Sequence, residues 1–218
     1  MSTAARQQMD LLLHDAKSLG EAGNRKPNSA YVRAALVVVC ASWETYIEDV
    51  VTEAIERITE APDVAPGDLP RGLRSKLAEQ AKYKNGDPWR LAGDGWRKCA
   101  RDLVVAETEQ MNTPGVERVT KLLSLALGID DALGQCSWSH MAPDTIKEYL
   151  GGKGSGNCEE DRHGLIEIRG EIAHRGTTPG NLNTRGVRDW VQWLARLADQ
   201  LDKVIRQHVF DMYHLALD

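Results

Sequence analysis

Within seven residues, Arg169-Gly170-Glu171-Ile172-Ala173-His174-Arg175, the chain gathers two guanidiniums, a carboxylate and an imidazole. A guanidinium holds anions through a planar fork of donors, and an imidazole exchanges protons near neutrality. Apolar positions Leu165, Ile168 and Ile172 recur at helical spacing, so the segment is expected to be a helix with one buried side. Arg169 and His174 are five residues apart, which turns a helix by about 140°. One copy therefore does not aim both side chains at one point. Gly170 costs about 1 kcal/mol relative to Ala inside a helix. Its use would be the close approach of a second helix or of a ligand backbone. Plainer readings remain open: Arg169 pairing with Glu44, His174 closing the helix end, and Glu171 forming an i,i+4 pair with Arg175.

A second candidate is electrostatic. Between Arg71 and Arg101 stand nine Lys/Arg against three acids, a window of +6 in a chain of net charge −5. Lys82, Lys84, Arg97 and Lys98 lie there with Tyr83, Trp89 and Trp96. Cations that hold phosphates, interleaved with aromatic faces that stack bases, suit single-stranded nucleic acid. A surface patch packed on a helical bundle fits the same pattern. Cys136-x3-His140 and Cys158-x4-His163 are four conceivable zinc ligands, but their spacing is not that of a finger and a glycine-rich break separates them. No metal or other cofactor is expected. The run Gly151-Gly152-Lys153-Gly154-Ser155-Gly156-Asn157 has the wrong order for a phosphate loop and follows a helix, so it reads as a hinge.

The elements that carry these groups are helical almost throughout. Residues 4–19 form a helix ending near Gly20. Pro27-Asn28-Ser29 precedes a long helix, about 29–60, whose stripe runs from Val32 through Trp43, Tyr46 and Val50 to Ile58. Shorter helices are expected over Leu73–Ala81, from Trp89 or later to about Gln110, over 115–127 and over 143–150. The helix of the charged segment runs from about Glu159 to Arg175, closed by Gly176. A last helix covers about 184–215. The fold class is all-α: one domain, 1–218, framed by helices 29–60, 159–175 and 184–215, with a helical and loop insertion over 62–157.

At 218 residues, 42% hydrophobic and 27% charged, the chain has an ordinary globular balance. Its longest uncharged apolar run, Ala34 to Trp43, is about half a bilayer span, so no membrane association is expected. No basic start followed by an apolar stretch is visible, and four cysteines without a C-x-x-C pair fit reduced thiols in a cytoplasmic protein.

The Arg169-x4-His174 element resembles the Arg-x4-6-His signature of HEPN domains. Ala41-Ser42-Trp43-Glu44-Thr45-Tyr46-Ile47-Glu48 is similar to the opening helix of the RiboL-PSP/MAE-like branch of that superfamily. Asn112 to Val119, leading to Leu127-Gly128-Ile129-Asp130, resembles its connector. The likeness spans about Ser29 to Leu217. It implies a metal-independent endoribonuclease of toxin or phage-defence type, in which two protomers bring their motif helices into one composite cleft. In that chemistry the RNA 2′-hydroxyl attacks the adjacent phosphodiester. His174 would move the proton and Arg169 would stabilise the phosphorane. Glu171 would orient His174, and Glu44 would anchor Arg169. Lys82, Lys84, Trp89, Arg97, Lys98 and Arg175 would hold RNA. A homodimer, with a possible antitoxin or defence partner, is implied. Gly170 departs from the Asn or Asp that follows the Arg in many members, which leaves open a catalytically inactive module that binds RNA or nucleotide or acts as a scaffold.

Overall fold

In the computed structural model, the residues described are 4–23, 27, 29–82, 88–111, 114–151, 164–178 and 182–217. They form eight α-helices: α1 Ala4–Ala22, α2 Ala30–Glu60, α3 Arg71–Lys82, α4 Gly95–Thr108, α5 Val116–Leu127, α6 Pro143–Leu150, α7 Leu165–Arg175 and α8 Thr184–Tyr213. Among the described residues there is no β-strand, and the all-α architecture expected from sequence holds.

Helix α2 is the spine. Ser29 starts it by accepting from the Val32 amide at 3.2 Å. The chain leaves helical geometry at Ala61, just before Pro62. Positions spaced three and four apart, from Val32 to Ile58, are buried along its length. Helices α1, α4, α5, α7 and α8 all pack against it. The Trp43 indole donates to the Pro114 carbonyl at 3.0 Å, which ties the connector before α5 to the middle of α2.

Helix α8 begins at Asn183, whose side chain accepts from the amides of Arg185 and Gly186. Its stripe of Val187, Leu194, Leu197, Leu201, Ile205 and Val209 is buried. Helix α1 completes the frame, which the three-helix expectation left out. It buries Ala5, Met9, Leu13 and Ala16. Its start is fixed by Glu53, whose Oε1 accepts from the Ala5 amide at 2.7 Å. Arg6 crosses to α8, pairing with Asp199 at 3.0 Å while also pairing with Asp10 at 2.6 Å on its own helix. The helix runs past Gly20 to Ala22. Gly20 lies where a Cβ would stand 3.0 Å from Val187 Cγ1, so its bareness lets α1 and α8 approach closely.

The middle of the chain joins the same apolar interior. Trp96, Ala100 and Val104 of α4, Val119 and Leu123 of α5, and Ile146 of α6 belong to one cluster with Trp43, Ile47 and Leu197. A smaller cluster of Val32, Ala35, Leu36, Ile168 and Val187 seats α7 between α2 and α8. Helix α7 starts at Leu165, later than the expected Glu159, because Gly164 already has extended geometry. Most of the glycine-rich break, 152–157, lies outside the described residues, as do Asn112 and Thr113 of the connector.

Candidate functional site

Helix α7 is short and held by its ends. The Gly164 amide donates to Glu167 at 3.2 Å at the start, and Gly176 takes a left-handed turn (φ 66°) at the finish. Leu165 and Ile168 are its buried anchors. The Cys40 thiol donates to the Leu165 carbonyl at 3.7 Å, joining α7 to the first half of α2.

Arg169 and Glu44 approach the Cys40 thiol from α7 and α2. Burial pushes that thiol up to about 12, with the Arg169 charge opposing the shift and Glu44 reinforcing it. Both charged residues are half-buried, so they gather at one edge of the α2–α7 seam. His174 stands exposed in the last turn of α7. The two motif residues thus lie on different sides of the helix, as a spacing of five requires. Between them Gly170 opens on empty space, with no atom within 4 Å of where a Cβ would be. Nothing inside the described chain makes the close approach that this glycine permits.

Glu171 is paired with Arg175 at 3.2 Å, the plain one-turn contact rather than a bond to His174. On α2, Ala34, Val37 and Ala41 are exposed and three or four residues apart, forming an apolar face that runs up to Glu44.

Among the described residues, the basic segment packs on α2, α5 and itself rather than closely on α7. Lys82 is exposed at the end of α3, and Trp89 is 82% exposed in the 3-10 turn Pro88–Leu91. Trp96 is buried in the core, against the expectation of a surface ring. Arg97 is a cap for α2 rather than an open RNA contact. Its Nη1 donates to the carbonyls of Thr59 at 2.5 Å and Ala61 at 2.8 Å, its Nη2 to Val64 at 3.2 Å, and its Nε to Asp94 at 3.1 Å. Its guanidinium also lies over the Trp96 ring, 4.6 Å from the centroid. Lys98 is exposed and bonded to Asp102 at 2.9 Å. Lys84 lies outside the described residues.

The zinc candidates do not assemble. Cys136 is buried, its thiol donating to the Ala132 carbonyl at 3.4 Å and pushed up to about 12 by burial. His140 is exposed at φ 65°, and Cys158 and His163 lie outside the described residues. Among the described residues no group of three or more His, Cys, Asp or Glu could hold a metal ion. No helix among them is long and apolar enough to cross a membrane.

Cys40 was legible only as a core residue. Its place one helical turn before Glu44 is the signal that could have linked it to Arg169.

Residues 5–99 match the family model described as RiboL-PSP-HEPN. That match, 95 of the 218 residues, supports a HEPN-superfamily domain of the RiboL-PSP type. The HEPN match takes in α1, which lies upstream of the Ser29 at which the sequence resemblance begins, and ends within α4, before α7. No curated protein and no solved structure matches the chain.

Proposed function

We propose that this HEPN domain is a metal-independent endoribonuclease whose cleft forms where the α7 helices of two protomers meet. The observation that carries the reading is the Arg169-Gly170-x3-His174 helix on the outside of the bundle, with open space over Gly170. A second α7 laid across Gly170 would bring each protomer's Arg169 towards its partner's His174. The exposed Ala34, Val37 and Ala41 face supports the same arrangement, because it offers apolar area beside the seam.

In the reaction, the RNA 2′-hydroxyl loses its proton to an imidazole and bonds to the adjacent phosphorus. The P–O5′ bond then breaks, and the leaving oxygen takes up a proton. The products are a 2′,3′-cyclic phosphate and a 5′-hydroxyl. His174 serves in proton transfer. Arg169 neutralises the equatorial oxygens of the phosphorane, and Glu44 holds Arg169 in position. Glu171 is paired with Arg175 within the protomer, so orienting His174 or holding RNA would draw on side chains that this surface ion pair now joins. A toxin or defence effector acting on cytoplasmic RNA, with a neutralising partner, is the setting this reading implies.

The deciding experiment incubates the purified chain with unstructured RNA in excess EDTA and identifies the product ends. Cyclic phosphate ends, lost in both Arg169→Ala and His174→Ala, are expected. Intact RNA, or cleavage that survives both changes, overturns the reading. RNA binding without cleavage would mark the catalytically inactive alternative, to which Gly170 after the motif Arg points.

A further inference from the structure

Four aromatic residues, from α6, α8 and the turn before α6, meet in a cluster that has no part in the α7 proposal. Trp193 is its hub and is 7% exposed. Tyr149 stacks on it with ring centroids 5.6 Å apart, Trp190 stands edge-on at 5.5 Å, and Trp138 is tilted at 6.4 Å. Tyr149 and Trp190 also meet each other, at 5.8 Å. Trp138, Tyr149 and Trp190 are half-buried, so each keeps some surface in contact with water.

Their polar groups behave unlike those of aromatic residues elsewhere in the fold. The Trp43 indole donates to Pro114, the Tyr46 hydroxyl to Asp202 and the Tyr213 hydroxyl to Asp68. In the cluster, the Trp193 Nε1–H is buried and has no acceptor. A buried indole N–H ordinarily finds a partner, and leaving it without one is costly. Among the described residues, no hydrogen bond takes up the Trp138 or Trp190 N–H or the Tyr149 hydroxyl either. Three indoles, which can only donate, and one hydroxyl are thus gathered without an acceptor from the chain.

Trp138 has a reason to be the adjustable member. It sits on a tight turn in which Trp138 and Met141 exchange backbone bonds at 3.2 Å and 2.8 Å. His140 within that turn takes φ 65°, a left-handed value uncommon for a residue with a side chain. The cluster also adjoins the motif helix. Tyr149 is two residues before Gly151, and a Cβ on Gly164 would stand 2.5 Å from the Gly151 Cα. A Cβ on Gly151 would in turn stand 3.0 Å from the Ile166 Cβ. From Ile166 to His174, α7 rises about 12 Å.

We propose that Trp138, Tyr149, Trp190 and Trp193 form a subsite for a nucleobase of the RNA strand, close to the phosphate that is cut. The base lies against the exposed parts of the rings. Its carbonyls and ring nitrogens accept from the idle N–H and O–H groups, and a small shift of the Trp138 turn lets it reach the Trp193 N–H. The four side chains are uncharged, so they grip the base rather than the phosphate. That the base belongs to RNA rests on the ribonuclease reading; that the ligand is flat and rich in acceptors rests on the rings and their unused donors.

The test uses the full chain carrying His174→Ala, with its indole nitrogens labelled for NMR, titrated with uridine and adenosine 3′-monophosphates. The indole resonances of Trp138, Trp190 and Trp193 are expected to move while that of Trp43 stays in place. Ribose 5-phosphate and maltotriose are expected to leave all four unmoved. Trp193→Phe and Tyr149→Phe are each expected to weaken nucleotide binding roughly threefold to tenfold. Tyr149→Phe removes only a hydroxyl, so it still decides the matter if Trp193→Phe disturbs the core. Indoles that do not move at millimolar nucleotide, equal movement with ribose 5-phosphate or maltotriose, or unchanged affinity in Tyr149→Phe overturns the proposal. Cleavage is scored separately with native His174. Indole shifts without any cleavage sink the nuclease reading and leave a nucleobase site. Cleavage beside unmoved indoles sinks the subsite alone.

Discussion

Tyr46 of α2 donates its hydroxyl to Asp202 of α8 at 2.6 Å, inside the core and a turn beyond Trp43. The same hydroxyl lies 3.2 Å from the Ala198 carbonyl. Burial, and then the Asp202 charge, push the Tyr46 phenol well above its usual range. Tyr46→Phe leaves the buried carboxylate short of a partner and is expected to cost about 1–3 kcal/mol in urea unfolding.

That carboxylate also sets a pH dependence. Burial raises Asp202, although the Tyr46 bond opposes the shift, and burial raises Glu48, Asp49 and Glu53 on α2 as well. A carboxyl raised in the folded state binds its proton more readily there than in the unfolded chain. The stability it contributes is therefore full below the ordinary carboxylate range and is lost as pH rises through the raised value. Denaturation at a series of pH values is expected to show stability falling from about pH 4 upward. Asp202→Asn is expected to flatten part of that fall. A curve that rises across the same window would contradict this account.

Arg97 is a structural cation in a basic neighbourhood. Replacing it with Lys removes the fork that reaches the Thr59, Ala61 and Val64 carbonyls, and is expected to cost about 2–4 kcal/mol. Thermal melts of Arg97→Lys beside the parent chain check this.

Gly170 offers a two-way measurement. With nothing near its missing Cβ, Gly170→Ala is expected to stabilise the isolated chain by about 0.5–1 kcal/mol. Gly170→Leu leaves the fold intact and is expected to abolish self-association in sedimentation, together with any cleavage. A chain that is monomeric at micromolar concentration and still cleaves would contradict the shared cleft.

Ile168 is the one fully seated side chain in the middle of α7. Ile168→Ala is expected to cost about 2–4 kcal/mol. Hydrogen exchange should register the loss in α7 and the first turns of α8 before it appears in α4 or α5.

Much of the frame could be read from the chain directly. The three-and-four spacing from Val32 to Ile58 located α2, and Pro62 and Gly176 marked real stops. Helix α1 was undervalued because its buried side uses Ala5 and Ala16, small residues that carry little hydrophobic signal. The roles of Arg97 and Cys40 depend on partners 38 and 125 positions away. No local pattern encodes such meetings. Within the candidate site, the 140° between Arg169 and His174 followed from spacing alone. The convergence of Arg169 and Glu44 on Cys40 did not, because it needs the crossing of α7 over α2.

The shared interior of the middle helices and the frame bears on any attempt to shorten this protein. A version cut down to α1, α2, α7 and α8 would strip one flank of α2 and strand the Trp43 indole, whose acceptor at Pro114 sits in the excised stretch. The central third is a supporting wall, so trimming belongs at the loops between helices.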